Sequence, residues 1–197
     1  MGCNNSNSVL EPPCLNEKKS LNASPSDKVY KNSSTDSQKK LSKKSKENFI
    51  NSALKAHNEY RKLHNAEPLN LSVKLTKIAQ DYAEKLATNN EFKHSENEIN
   101  GYPLGENLYM YLGNEISGKL MTDDWYNEIS NYNFNKNEYQ KGTGHFTQII
   151  WKGTKNVGFG YSINMEGAFV AVANYFPAGN LIYDFRNNVE NKATEIK

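Results

Sequence analysis

The chain contains four histidines, and an imidazole is the side chain best suited to bind Zn²⁺ or to move a proton near neutral pH. His57 and His64 are seven residues apart on one face of a predicted helix, where His57 is expected to pack and His64 to meet the helix C-terminal dipole. His94 and His145 belong to no local catalytic or metal motif, because the sequence contains neither HExxH nor GxSxG. Ser95 follows His94 in sequence, which does not make the two a catalytic pair.

The amino terminus carries a different chemistry, the pattern for covalent lipid attachment. Met1, Gly2 and Ser6 fit M-G-x-x-x-S, which predicts N-myristoylation of Gly2 once Met1 is removed. Cys3 is predicted to carry palmitate, because one myristoyl chain alone holds a protein only marginally at a bilayer. The alternative is that Gly2 matches the pattern by chance and that the lysines after it are an ordinary solvent-exposed charged segment.

The first 46 residues differ in composition from the remainder. They hold nine lysines and four acidic residues, whereas residues 47–197 hold 15 basic and 18 acidic residues. Of 22 aromatic residues only Tyr30 precedes residue 47, so this segment cannot bury enough apolar surface to offset its ordering entropy. We predict a disordered, lipidated arm over 1–46, a folded domain over 47–190 and a flexible tail over 191–197. Five lysines of the arm are expected to attract an anionic membrane surface: Lys39, Lys40, Lys43, Lys44 and Lys46.

Composition also excludes several classes of function. A net charge of +2 is too small to indicate a nucleic-acid partner. No apolar run approaches the ~18–20 residues that span a bilayer, and Glu11, Pro12 and Pro13 stand where a secretory signal would need its apolar core. Both cysteines, Cys3 and Cys14, lie in the arm, which excludes a disulfide scaffold or a cysteine nucleophile in the domain and indicates a reducing compartment.

Hydrophobic periodicity predicts helices first and strands late. An amphipathic helix from Glu47 precedes a second helix that Ser72 can cap, and a third helix is predicted over Lys119–Ile129. Two strand-like segments, Asn156–Ile163 and Phe169–Phe176, are joined by a predicted hairpin turn. This order indicates an α+β fold in which helices cover an antiparallel sheet.

Several segments resemble the CAP superfamily of cysteine-rich secretory, venom allergen-like and plant pathogenesis-related proteins. Residues 144–154 are similar to the first signature of that family and residues 173–180 to the second, with Ala173 where secreted members usually carry Cys. Shorter similar segments occur in the family's order at 57–61, 94–95, 105–108 and 125–129. The resemblance is strongest to the Golgi-associated branch, which also lacks domain disulfides and begins with a myristoylated glycine. It implies a CAP-type α-β-α sandwich with a central, mostly antiparallel sheet between helical layers.

The resemblance also implies a cleft with two histidines and two glutamates. By motif these are His94, Glu106, Glu128 and His145, whose separations of 12, 22 and 17 residues would not by themselves indicate one site. We expect His94 and His145 to bind Zn²⁺ or another divalent cation, with the two glutamates behind them or bridging through water. The alternative is a buried hydrogen-bonded network that joins helix to sheet.

The loop after the third predicted helix carries the expected lipid site. Tyr132, Phe134 and Tyr139 fit the spacing aromatic-x-aromatic-x₄-aromatic, which is linked in the family to sterol and caveolin binding. We therefore expect a non-catalytic, membrane-tethered module that binds sterol, fatty acid or anionic lipid, with a caveolin-like protein or a second copy as further partners. The expected location is the cytoplasmic face of Golgi or plasma membranes. The alternative function is a metal-dependent hydrolase that uses the histidine and glutamate cleft.

Overall fold

A four-stranded sheet between helices forms the centre of the fold in the computed structural model, which describes residues 36–113 and 117–193, with side chains from residue 43. The helices are α1 (Asp36–Leu63), α2 (Val73–Asn89), α3 (Gly118–Tyr126), α4 (Gly144–Ile150) and α5 (Phe185–Asn188), with a 3-10 turn over Asn127–Asn131. The strands are β1 (Asn70–Leu71), β2 (Glu98–Ile99), β3 (Tyr102–Pro103), β4 (Gly105–Tyr111), β5 (Asn156–Ile163) and β6 (Phe169–Phe176).

The sheet has the strand order β1-β5-β6-β4, and β2 and β3 form a separate two-stranded ladder. Strands β5 and β6 form an antiparallel hairpin, β4 pairs antiparallel with β6, and β1 lies parallel to β5. The predicted strands Asn156–Ile163 and Phe169–Phe176 have the bounds that the structure shows. The sheet is therefore mixed and mostly antiparallel, as expected for the α+β class.

The two faces of the sheet bury separate apolar clusters, because alternate residues of a strand point to opposite faces. On one face Ala171, Ala173 and Tyr175 of β6 pack in a cluster with Phe49 of α1 and Trp125 of α3. On the other face Val170 and Val172 pack with Leu108 of β4 and with residues of α2. Helices thus cover both faces, and the predicted α-β-α sandwich is confirmed.

Helix α2 shows how local sequence fixes one of these layers. The side chain of Ser72 accepts a hydrogen bond from the backbone N–H of Leu75, as a capping serine should. Asn90 ends the helix in the left-handed conformation, which asparagine tolerates better than most residues. Between these ends, Ala79, Ala83 and other residues of one helix face are buried against the sheet.

Helix α1 begins at Asp36, eleven residues before the predicted boundary at Glu47. Residues 36–46 lack aromatic side chains, but they contain neither glycine nor proline and are rich in good helix formers. Lys43 and Glu47 are also four residues apart and approach to 4.0 Å, a spacing that supports a helix. At the other end of the domain, the N–H of Ala193 donates to Leu63 O at 2.8 Å, so the first residues of the predicted tail contact the end of α1.

Among the residues that the structure describes, no helix combines the length and the apolar character needed to cross a bilayer.

Candidate functional site

His145 is held by Glu128 at the amino-terminal end of α4. The Nδ1–H of His145 donates to Glu128 Oε1 at 2.7 Å, and the backbone N–H groups of His145 and Phe146 donate to Glu128 Oε2 at 3.0 and 3.1 Å. Glu128 belongs to the 3-10 turn after α3, so one carboxylate from a separate element caps α4 and orients the imidazole. The ring of Trp125 stacks on the His145 ring with centroids 5.8 Å apart, which fixes the imidazole from its face.

His94 is held by Glu106 of β4 in a similar way. The Nδ1–H of His94 donates to Glu106 Oε1 at 2.9 Å, and the same oxygen accepts the backbone N–H of Ser95 at 2.8 Å. Asn174, opposite Glu106 in the β4–β6 ladder, donates its Nδ2–H to Glu106 Oε2 at 3.3 Å. The Glu106 side chain is 6% exposed and that of His94 is 41% exposed. A buried carboxylate therefore fixes an accessible imidazole.

The hydroxyl of Ser95 donates to Glu106 Oε2 at 2.5 Å. This bond places a carboxylate at the hydroxyl, whereas a serine nucleophile activated by histidine needs an imidazole there. Ser95 thus acts in this structure as a further anchor for Glu106.

In the structure the four predicted cleft residues form two histidine–glutamate pairs, His94 with Glu106 and His145 with Glu128. A carboxylate can only accept a hydrogen bond, so each neutral imidazole carries its proton on Nδ1 and its lone pair on Nε2. Across residues 43–113 and 117–193, no group of three or more His, Cys, Asp or Glu side chains is arranged to hold one metal ion.

A buried network of side-chain hydrogen bonds lies behind His145. Asn107, the neighbour of Glu106 in β4, donates its Nδ2–H to His145 O and to the Tyr175 hydroxyl, both at 3.2 Å. The Tyr175 hydroxyl donates to His57 Nε2 at 2.8 Å, and His57 Nδ1–H donates to Ala53 O at 2.8 Å. These bonds link α1, the central strand β6, the edge strand β4 and α4, and from Asn107 they run in one direction to His145 O and in the other through Tyr175 and His57 to Ala53 O.

Burial sets the protonation states of His57 and Tyr175 in this network. It lowers the pKa of His57 to about 3, although the hydrogen bond to Ala53 O acts in the opposite direction. It also raises the pKa of the Tyr175 hydroxyl well above the ordinary value. His57 is therefore a neutral acceptor and Tyr175 a protonated donor at physiological pH, so neither can serve as a cationic or anionic group.

Comparison with known families decides what kind of domain this is. The family described as "CAP: Cysteine-rich secretory protein family" matches residues 54–175, which include both histidine–glutamate pairs. The chain belongs to this family. The resemblance that the sequence motifs indicated is therefore confirmed.

Individual CAP proteins agree with the assignment. The human "Golgi-associated plant pathogenesis-related protein 1" is 43% identical over 151 residues, covering 76% of this chain and 97% of the human protein. The yeast "Protein PRY2" (Saccharomyces cerevisiae) is 38% identical over 143 residues, 72% of this chain and 41% of the longer yeast protein. Among solved structures, "Structure of BmVAL-1" covers 76% of this chain and 85% of its own with a TM-score of 0.59 and 22% identity. "Crystal structure of NaASP2 with Zn2+" covers 75% and 87% with a TM-score of 0.59 and 23% identity.

The aromatic loop of this CAP domain packs its rings on the domain itself. Tyr132 is 8% exposed, and its ring lies 4.9 Å from Phe134 and 5.6 Å from Phe146, centroid to centroid. Tyr139 is half-buried with its ring 6.4 Å from that of Phe185. The expectation that Tyr132, Phe134 and Tyr139 bind lipid stays a prediction, and it requires these rings to leave their present contacts.

A glutamine closes the same loop. Gln140 Oε1 accepts the backbone N–H of Asn133 at 2.9 Å, and Gln140 Nε2–H donates to Asn133 O at 2.9 Å. This two-bond clamp joins the two ends of the segment that carries Phe134 and Tyr139. Two solvent-exposed hydrogen bonds therefore tie the ends of this segment together, in addition to the packing of its rings.

The predicted membrane determinants lie at or beyond the start of the described structure. Gly2 and Cys3 fall outside the described residues. Lys39 and Lys40 belong to α1, and their side chains are also outside the described set. Lys43 and Lys44 are exposed, and Lys46 approaches Glu84 of α2 to 3.8 Å. The described lysines thus lie on a helix, where a disordered arm was expected.

Sequence reasoning missed the residues that support the two pairs. Trp125 and Asn107 stand beside predicted site residues in matched motifs, but no spacing rule connects either of them to His145. Asn174 could have been found from the strand register, because a β4–β6 ladder that aligns Gly105 with Tyr175 also aligns Glu106 with Asn174.

Proposed function

We propose that the protein is a non-catalytic, membrane-tethered CAP-domain module whose histidines His94 and His145 bind a divalent cation such as Zn²⁺. The observation that carries this proposal is the matched pairing: each imidazole donates Nδ1–H to a carboxylate and keeps its lone pair on Nε2. Carboxylates in this position fix the tautomer and raise the basicity of a metal ligand.

The donor set fits a weak, exchangeable site. Two imidazole nitrogens suit Zn²⁺, with Glu106 and Glu128 as the groups behind them, and two protein ligands leave coordination positions for water or another ligand. A bound divalent cation would supply positive charge and open coordination positions. The residues themselves would only bind and orient, because each glutamate that could act as a base on metal-bound water already accepts at least three hydrogen bonds. This arrangement supports a binding role over the alternative of a metal-dependent hydrolase.

The membrane part of the proposal rests on the sequence and on a relative. Gly2 and Cys3 would carry myristate and palmitate, and two acyl chains make stable anchoring where one does not. A human relative is named as Golgi-associated, which supports a location at the cytoplasmic face of Golgi or plasma membranes. Sterol or fatty acid would enter at Tyr132, Phe134 and Tyr139 when the loop opens. A caveolin-like protein or a second copy would be further partners.

Calorimetry of the full chain with Zn²⁺ tests the metal site. We expect binding that weakens as the pH falls, because protons and metal compete for the same imidazole nitrogen. The double variant His94→Ala/His145→Ala should abolish binding, and Glu98→Ala, which removes an exposed carboxylate outside the pairs, should leave it unchanged. Equal affinity in the double variant and the wild type would refute the proposed site.

A further inference from the structure

Three strand ends meet at one end of the sheet and expose apolar side chains there. Tyr111 at the end of β4 is in register with Phe169 at the start of β6, and Phe169 is in register with Ile163 at the end of β5. Next to these positions, Met165 of the β5–β6 turn is 89% exposed and Leu112 is 74% exposed, while Ile163 is 46% exposed. Three large apolar side chains at this end of the sheet are therefore exposed to solvent.

Helix α1 runs past the same end. His57 of α1 packs on Phe159 of β5 with ring centroids 5.0 Å apart, and Phe49 packs on Tyr161 at 4.8 Å. The helix therefore runs antiparallel to β5, and its residues before Phe49 continue beyond the last residue of that strand. Residues 36–48 add roughly 20 Å of helix at 1.5 Å per residue.

This part of α1 brings positive charge to the apolar strand ends. Lys43 and Lys44 are exposed, and Lys46 is partly exposed. Two acidic residues offset this charge, because Lys43 lies 4.0 Å from Glu47 and Lys46 lies 3.8 Å from Glu84. Exposed pairs at these distances contribute little and are readily exchanged for other anions. Glu166 of the hairpin turn accepts a hydrogen bond from the neutral amide of Asn90 at 2.9 Å, so it keeps one negative charge beside Met165 that the lysines must outweigh.

We propose that this end of the domain, formed by α1 residues 43–46 with Leu112, Ile163 and Met165, is a docking surface for an anionic lipid bilayer. The lysines would lie at the headgroups, where each lysine near the surface adds to the attraction. The apolar side chains would enter the boundary between headgroups and acyl chains, as those of interfacial helices do. These side chains lie at separate strand ends and turns, so each can enter a fluid bilayer independently. This proposal rests on the membrane association proposed above, and it is independent of the metal site and of acylation.

The opposite end of the domain supplies a matched control. There Leu181, Ile182 and Tyr183 form an apolar turn with exposed fractions of 53%, 61% and 98%, after β6 has ended at Phe176. The turn and Met165 thus lie at opposite ends of the same strand. Apolar exposure alone would favour the Leu181–Tyr183 turn, so the position of the α1 lysines is what selects the Met165 end.

Tryptophan fluorescence of the full, non-acylated chain distinguishes the two ends. The native Trp125 and Trp151 are 2% and 1% exposed, so their emission is a constant background. With vesicles of phosphatidylcholine and phosphatidylserine, we expect the emission of Met165→Trp to shift to the blue and to become protected from an aqueous quencher, while that of Ile182→Trp does not change. A shift confined to Ile182→Trp, or no shift in either variant, would overturn the proposal.

Charge variants test the helix separately. Lys43→Gln/Lys44→Gln should weaken binding to these vesicles roughly 30-fold at low salt, about fivefold for each lysine. Lys155→Gln/Arg186→Gln, which removes two exposed cations outside this surface, should have little effect. A blue shift of Met165→Trp that grows with protein concentration in the absence of vesicles would assign the surface to a second copy and refute the bilayer. Because the chain carries no acyl group, failure here leaves the Gly2 and Cys3 tether untouched.

Discussion

At the scale of single residues, Glu128 performs two tasks with one carboxylate. One oxygen accepts the His145 ring N–H, and the other accepts two backbone N–H groups at the start of α4. Thr143, the residue at the cap position of α4, makes no side-chain capping bond of its own. The orientation of the imidazole and the stability of the helix end are therefore coupled through Glu128.

The variant Glu128→Gln tests whether the carboxylate serves the metal site as well as the helix end. We expect the free energy of unfolding to fall by about 1 kcal/mol, as for a weakened helix cap, and the affinity for Zn²⁺ to fall about 10–100-fold. Chemical denaturation and calorimetry measure the two effects. Glu138→Gln changes an exposed glutamate of the following loop and should alter neither. Unchanged Zn²⁺ affinity in a destabilised Glu128→Gln would show that the carboxylate serves only the helix.

The buried His57 makes stability depend on pH in a definite direction. Its pKa is about 3 in the folded chain and returns to about 6.5 on unfolding, so below pH 6.5 only the unfolded chain binds the proton. The free energy of unfolding should then fall by up to about 1.4 kcal/mol per pH unit between pH 6 and 4. Burial also lowers the pKa of His64, which adds to the loss in the same direction.

Denaturation of His57→Gln across this pH range isolates the contribution of one histidine. We expect the variant to be less stable than the wild type at pH 7, because the bond from Tyr175 is disturbed, and to lose less stability on acidification. Stability curves that stay parallel from pH 7 to pH 4 would contradict the assignment of a neutral His57.

At the scale of elements, the aromatic loop is a closed segment with a small clamp. Gln140 holds it through two exposed hydrogen bonds to Asn133, whereas Tyr132 is buried in the core. Substituting the rings themselves would remove core packing and lower the free energy of unfolding by several kcal/mol. Such variants cannot separate an effect on binding from an effect on folding. Loosening the clamp is the more selective change.

Gln140→Ala should destabilise the domain by about 1–2 kcal/mol and raise its apparent affinity for a fluorescent sterol. The reason is that a ligand that binds the open loop binds more tightly when that loop is open more often. Asn137→Ala, in the same exposed stretch, provides the control and should change neither quantity. If the clamp variant binds sterol no better than the wild type, the loop is a structural part of the core.

At the scale of the whole molecule, the proposed membrane attachment would combine acyl chains with the basic start of α1. Gly2→Ala should move the protein from membranes to cytosol in cell fractionation, because it removes the myristoyl acceptor. Cys3→Ser should leave weak, rapidly exchanging binding, while Cys14→Ser, the other cysteine, should behave as wild type. Full membrane retention of Gly2→Ala would overturn the acylated tether.

The sequence predicted the parts of the fold whose signals are local. The bounds of β5 and β6 follow from the run of apolar residues on each side of one turn, and Ser72 caps α2 as its position indicates. Helix α1 begins earlier than the predicted start at Glu47, over residues 36–46 that lack aromatic side chains but contain no helix breaker.

Local sequence patterns could not predict which glutamate each histidine contacts. His145 pairs with Glu128 because the amino-terminal end of α4 lies against the 3-10 turn. His94 pairs with Glu106 of the edge strand β4. Family motifs placed these four residues in one cleft, but they did not show which histidine each glutamate holds. That information lies in the strand register and in the helix cap, which only the folded chain contains.

Strand β6 lies between β5 and β4, and seven of its eight residues are buried. Its amide protons are bonded to neighbours on both sides and are covered by a helical layer above and below. They can exchange with deuterium only when most of the domain opens at once, whereas the two-residue strands β1, β2 and β3 need only local fraying. In heavy water, the last amide signals to disappear should therefore be those of β6, and their exchange rates should report the global stability of the domain.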